Sequence, residues 1–118
     1  MYLVKPPYLI RKLGDKNIHW EVETQEKILY YTFDDGPIPE LTPKVLQILR
    51  KYNAKATFFM VADNIDKHKE VYQQVKDEGH SIGNHTYNHV KGWKLSNKEY
   101  YSNIEKADEL IKSKLLRG

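Results

Sequence analysis

A pattern of short strand followed by helix, repeated three times, constrains this chain more than any other feature. Residues 27–33 (KILYYTF) are rich in apolar and aromatic side chains and end at Asp34-Asp35-Gly36-Pro37, which predicts a buried strand closing in a turn. Thr42-Pro43 then supplies an N-cap and a first-turn proline, and Val45, Leu46, Ile48, Leu49 and Tyr52 repeat at helical spacing up to a stop at Asn53. Residues 56–61 (ATFFMV) predict a second strand. A helix over 66–78 follows, with Ile65, His68, Tyr72 and Val75 on one side and Gly79 as its stop. A short third strand over 80–83 leads into a His-rich loop, and the capping box Ser96-Asn97-Lys98-Glu99 opens a third helix with Tyr100, Ile104, Ala107 and Ile111 on one face. Leu115 and Leu116 read as the start of a fourth strand. Alternating strands and helices imply an α/β fold with a parallel sheet, whose sites are built on loops at the carboxyl ends of the strands.

Composition narrows the function classes. The 118 residues are 40% hydrophobic and 30% charged, as in an ordinary globular domain. The net charge of +3 comes from 19 basic and 16 acidic residues spread along the chain, not from the clustered basic face that a nucleic-acid partner requires. With no cysteine, disulfides and thiolate metal sites are excluded. Residues 1–13 are broken by Pro6 and Pro7 and carry Arg11 and Lys12, so they read as neither a signal peptide nor a membrane span. The sequence as written is therefore expected in the cytoplasm; its oligomeric state is open.

Two loops carry the candidate chemistry. The first holds the adjacent carboxylates Asp34 and Asp35, of which one can bind a metal while the other acts as a base. Alone, Asp-Gly-Pro is also ordinary turn chemistry. The second runs from Gly79 to His89 and contains three of the chain's five histidines. His85 and His89 are four residues apart, so on one helical turn their rings would share a face and present two imidazoles to one ion. A carboxylate and two imidazoles leave an open position, the pattern of catalytic zinc, although non-haem iron oxygenases use the same ligand types. Spacing does not say which aspartate is the ligand.

Read together, the two loops resemble the polysaccharide deacetylase family, the NodB homology domain. Thr32-Phe33-Asp34-Asp35-Gly36-Pro37 is similar to its first signature and His85-Thr86-Tyr87-Asn88-His89 to its second; Lys55-Ala56-Thr57-Phe58-Phe59 and the segment from Gly79 to His85 also resemble it. The resemblance implies a distorted (β/α) barrel, of which about three βα units are present, in a domain over 27–118 after a lead-in over 1–26. It implies Asp34 as general base, Asp35, His85 and His89 as ligands of a divalent ion, zinc first among candidates, and hydrolysis of acetyl groups from N- or O-acetylated sugars. An acetylated carbohydrate is the implied partner. Thr86 is expected to shape the loop, and His80 to be structural. Family members continue through further motifs, among them the histidine that acts as general acid. Arg117 stands where the first of these begins and Gly118 where a proline is expected. A C-terminally truncated deacetylase with impaired turnover is the expectation, with a catalytically inactive metal- or carbohydrate-binding fragment as the alternative.

Overall fold

The computed structural model describes residues 6–115. A short helix α1 (Tyr8–Leu13) precedes a core in which β1 (Tyr31–Asp34), β2 (Ala56–Met60) and β3 (Ser81–Asn84) form a parallel sheet in the order β1-β2-β3. Helices α2 (Leu41–Lys51), α3 (Ala62–Lys67) and α4 (Lys69–Asp77) fill the connections between strands, and β3 is followed by a 3₁₀ turn over Gly92–Lys94 and by α5 (Asn97–Leu115). Among the described residues no helix is long and apolar enough to cross a membrane.

The strand register separates the two faces of the sheet. One row runs Phe33, Phe58, Ile82 and the next Asp34, Phe59, Gly83. Side chains alternate between faces along a strand. Ala56, Phe58 and Met60 are accordingly buried, while Thr57 and Phe59 between them are not. The buried face meets Leu46 and Leu49 of α2, Ile65 of α3, Tyr72 and Val75 of α4 and Ile111 of α5 in one hydrophobic cluster. Phe33 and Phe58 stack with ring centroids 5.1 Å apart. Each large side chain fully buried there contributes about 1.5–3 kcal/mol. The opposite face, with Thr32, Asp34, Thr57, Phe59, Ser81 and Gly83, has no buried residue.

Helix ends follow their local sequence. Asn53 adopts φ 49° after α2, and the Ala54 and Asn53 amides donate to the carbonyls of Leu49 and Arg50. Gly79, at φ 75°, ends α4 in the same way, with the His80 and Gly79 amides donating to Val75 and Lys76. Both are left-handed caps that satisfy the last turn's carbonyls. At α5, Glu99 Oε2 accepts from the Ser96 amide at 2.9 Å and Ser96 Oγ accepts from the Glu99 amide at 3.3 Å, completing the expected capping box.

Several boundaries differ from the sequence reading. Helix α2 begins at Leu41, ahead of Thr42; the Thr42 hydroxyl instead accepts from the Ile38 amide and shapes the turn before the helix. The helix expected over 66–78 is two helices, broken at His68 (φ −130°, ψ 57°) and starting earlier, at Ala62. Strand β1 is shorter than 27–33, because β2 begins at Ala56 and the first residue with a register partner is Tyr31. Leu115 closes α5 and starts no strand, because the helix's i→i+4 pattern runs through it. Leu116, Arg117 and Gly118, on which the fourth strand and the arginine reading partly rested, lie outside the described residues.

Candidate metal centre

Asp35 follows β1 directly, and His85 follows β3 directly, so the parallel sheet places both at its carboxyl edge. The His85 amide donates to the Met60 carbonyl at 3.0 Å, which extends the β2–β3 ladder by one residue and fixes where the His-rich loop leaves the sheet. Asp35 Oδ1 lies 3.0 Å from His85 Nε2 and 2.9 Å from His89 Nε2. The two imidazole rings are 5.1 Å apart and tilted by 52°. Among the described residues these three form a group whose donor atoms all lie within 4.8 Å of one another.

The donor set fits one divalent ion. Bonds of about 2.0–2.1 Å meeting at about 90–110° put neighbouring donor atoms about 2.9–3.4 Å apart. The carboxylate–imidazole separations fall at the short end of that range. All three side chains are at least partly exposed, which leaves room on one side for water or substrate.

The loop reaches this geometry through an unusual backbone. Asp35 (φ 69°), Thr86 (φ 64°) and His89 (φ 57°) all lie in the left-handed region. For a β-branched threonine that conformation is rare, and each such residue costs on the order of 1–3 kcal/mol. Neighbouring groups hold it. Asn84 Oδ1 accepts from the Thr86 amide at 2.8 Å, and Thr86 Oγ1 accepts from the Val90 amide at 3.2 Å. The Ala62 and Asp63 amides, opening α3, donate to the carbonyls of Thr86 and Tyr87. Asn64 Nδ2 donates to the Asp35 carbonyl at 2.9 Å. His85 and His89 thus converge across a turn, and not along a helix as their spacing suggested; the left-handed residues between and at them reverse the chain.

Asp34 sits beside Asp35 at the end of β1, exposed and in register with Phe59. A hollow of about 300 Å³ is lined by Asp35, Asp63, Asn64, Asn88 and His89, and a second of about 220 Å³ by His85, Thr86, His89 and Tyr100. His89 stands between them.

The descriptive family model for polysaccharide deacetylase matches residues 21–117. The chain belongs to the polysaccharide deacetylase family. It is 45% identical over 101 residues to a peptidoglycan-N-acetylglucosamine deacetylase of Bacillus cereus, a match covering 86% of this chain and 42% of that protein. The solved structure of peptidoglycan deacetylase PdaC from Bacillus subtilis superposes with a TM-score of 0.71 at 34% identity, covering 78% of this chain and 46% of that one. A family 4 acetyl xylan esterase from Clostridium thermocellum, solved with a cobalt ion, superposes at 0.65 with 34% identity, covering 71% and 42%. The chain therefore spans less than half the length of these relatives. Its three βα units are part of the deacetylase fold, the partial barrel expected from the sequence. Deacetylases of this family use a divalent metal ion.

His80, by contrast, is a structural residue. It is buried, its Nδ1 accepts from the Ala56 amide at 3.2 Å, and its ring meets Phe58 edge-on at 5.4 Å. Burial, assisted by the charge of Lys55, holds its pKa below the ordinary 6.5. Sequence reasoning missed the asparagines. Asn64, Asn84 and Asn103 all hydrogen-bond to the deacetylase loops. Asn84 lies within the family-like segment, but Asn64 and Asn103 sit in helices with nothing local to mark them.

Proposed function

We propose that this chain carries the metal-binding part of a hydrolase that removes acetyl groups from N- or O-acetylated sugars in a polysaccharide or oligosaccharide. The observation that carries the reading is the convergence of Asp35 Oδ1 on both His85 Nε2 and His89 Nε2. In this reading Asp35, His85 and His89 hold the ion, which is zinc. When bound, such an ion lowers the pKa of water and polarises a carbonyl oxygen. Asp34 takes the proton of the attacking water. The water oxygen bonds to the acetyl carbon, the C–N or C–O bond to the sugar breaks, and acetate leaves while the sugar's amine or hydroxyl gains a proton. Exposure of Asp34 and the open hollow beside Asp35 and His89 support access by a sugar. The relative from Bacillus cereus, named for peptidoglycan N-acetylglucosamine, supports an amino sugar as substrate. The alternative is a metal- or carbohydrate-binding unit without turnover.

Metal analysis with calorimetry on wild type, Asp35→Asn and His89→Ala tests the ligand set, and acetate release from an N-acetylated oligosaccharide tests turnover. Asp35→Asn and His89→Ala should lose the ion. Asp34→Asn should keep it and lose about 10²–10⁴-fold in acetate release. Equal metal uptake by wild type and His89→Ala would overturn the ligand set. Metal loss in Asp34→Asn with retention in Asp35→Asn would reverse the two roles. Metal uptake without acetate release from wild type would select the binding unit.

A further inference from the structure

The turn between the two imidazoles is gripped from α5, outside the loop and outside the sheet: Lys106 Nζ lies 3.7 Å from the centre of the Tyr87 ring, and Asn103 supplies the hydrogen bonds. Asn103, half-buried on α5, accepts from the Tyr87 amide through Oδ1 at 2.8 Å and donates through Nδ2 to Asn88 Oδ1 at 2.8 Å. Tyr87 and Asn88 are the two residues that lead into His89. Other contacts fix the start of the loop and close the turn. The His85 amide is tied to Met60, Thr86 is held by Asn84 and Ala62, the Tyr87 carbonyl accepts from the Asp63 amide, and the Val90 amide donates to Thr86 Oγ1, but none of these engages the Tyr87 amide or the Asn88 side chain. Asn84 itself donates to the Ile104 carbonyl at 2.8 Å, so α5 supports the loop at two neighbouring positions. Helix α5 is anchored in turn by the buried Ala107 and Ile111. Its amide clamp therefore refers the loop to the core.

We infer that Asn103 is a positioning residue for His89, setting the metal affinity of the site without touching the ion. The inference rests on the ligand set proposed above. His89 is in the left-handed region at φ 57°, a conformation that persists only where surrounding contacts over-determine it. Without the clamp, Tyr87 keeps its carbonyl bond to the Asp63 amide, but its own amide and the Asn88 side chain lose their protein partner. Residues 87–89 then relax toward commoner backbone angles, and Nε2 of His89 leaves its 2.9 Å approach to Asp35. His85, tied to the sheet, stays. Loss of a group that orients a metal ligand typically weakens binding about 10–100-fold.

The test is Zn²⁺ calorimetry on the full 118-residue chain, with thermal unfolding and amide exchange of the metal-free protein. Asn103→Ala, which favours the helix, should bind Zn²⁺ at least about tenfold more weakly and lose protection at the Tyr87 amide, while its metal-free melting temperature stays close to wild type. Asn103→Asp should restore both readouts. Its carboxylate accepts from the Tyr87 amide and, after rotation of the Asn88 amide, from Asn88 Nδ2. Wild-type affinity in Asn103→Ala would overturn the inference, as would equal weakening by Ala and Asp, or an affinity loss matched by collapse of the metal-free protein. A wild type that takes up no Zn²⁺ would instead overturn the ligand set, and this inference with it.

Discussion

The ring of Phe59 occupies the space that a side chain at Gly83 would need. A Cβ on Gly83 would sit 2.5 Å from Phe59 Cδ1 and 2.6 Å from Cε1. The two residues are register partners on β2 and β3, in the same row as Asp34. The absence of a side chain at Gly83 thus makes room for the ring over β3. Gly83→Ala must push the ring off that position or part the strands. Overpacking of this kind costs about 1–3 kcal/mol. Denaturant unfolding should show that loss, and Phe59→Leu in the Gly83→Ala background should recover part of it.

How far the fold was legible depended on whether a signal was local. The apolar run at 56–61 and the capping box at Ser96 identified β2 and the start of α5, because burial and capping act within a few residues. The run at 27–33 reads as a longer strand than β1, since strand length is set by the partner, and Leu29 and Tyr30 remain exposed. The break at His68 involves neither glycine nor proline and left no mark in the sequence. The spacing of His85 and His89 pointed to proximity, which the structure shows, but for a helical reason that it does not. Asn103 was illegible because its bond spans 16 residues and exists only once α5 has docked.

Stability in mild acid should depend on His80. Its folded pKa is lowered from 6.5, chiefly by burial and then by Lys55, so the neutral ring is favoured in the fold. The unfolded chain binds the proton more readily. The sign follows: the contribution is fully present above about 6.5 and is lost as pH falls from there through the lowered folded value. Protonation would also remove the acceptor at Nδ1 that takes the Ala56 amide. Unfolding free energy measured from pH 7.5 down to 4.5 should fall more steeply in wild type than in His80→Gln, whatever the starting stability of the variant. Parallel curves would show that His80 carries none of the acid sensitivity.

The last expectation concerns the apolar cleft beside the free edge of β1. Tyr31, Phe33, Val45, Ile48, Tyr52 and Ala54 help line an open hollow of about 440 Å³ between β1 and α2. Tyr31, Ile48 and Tyr52 are 49%, 59% and 71% exposed. Leu29 and Tyr30, just before the strand, add to the same exposed apolar run. Among the described residues β1 pairs only with β2, so its outer edge presents unpaired backbone donors and acceptors next to this surface. An open strand edge beside an apolar patch favours association between chains. The polar face that carries Asp34 is a poorer surface for this, since of its residues only Phe59 is a large apolar one. Sedimentation velocity over a hundredfold concentration range should therefore show the 118-residue chain associating as concentration rises. The double variant Ile48→Lys, Tyr52→Lys places two charges at exposed positions of the cleft and leaves the buried Leu46 and Leu49 unsubstituted. It should remain monomeric over the same range while keeping the wild-type circular dichroism. Association unchanged in the double variant would move the interface elsewhere on the molecule, and a monomeric wild type would show that the open edge of β1 is tolerated in water.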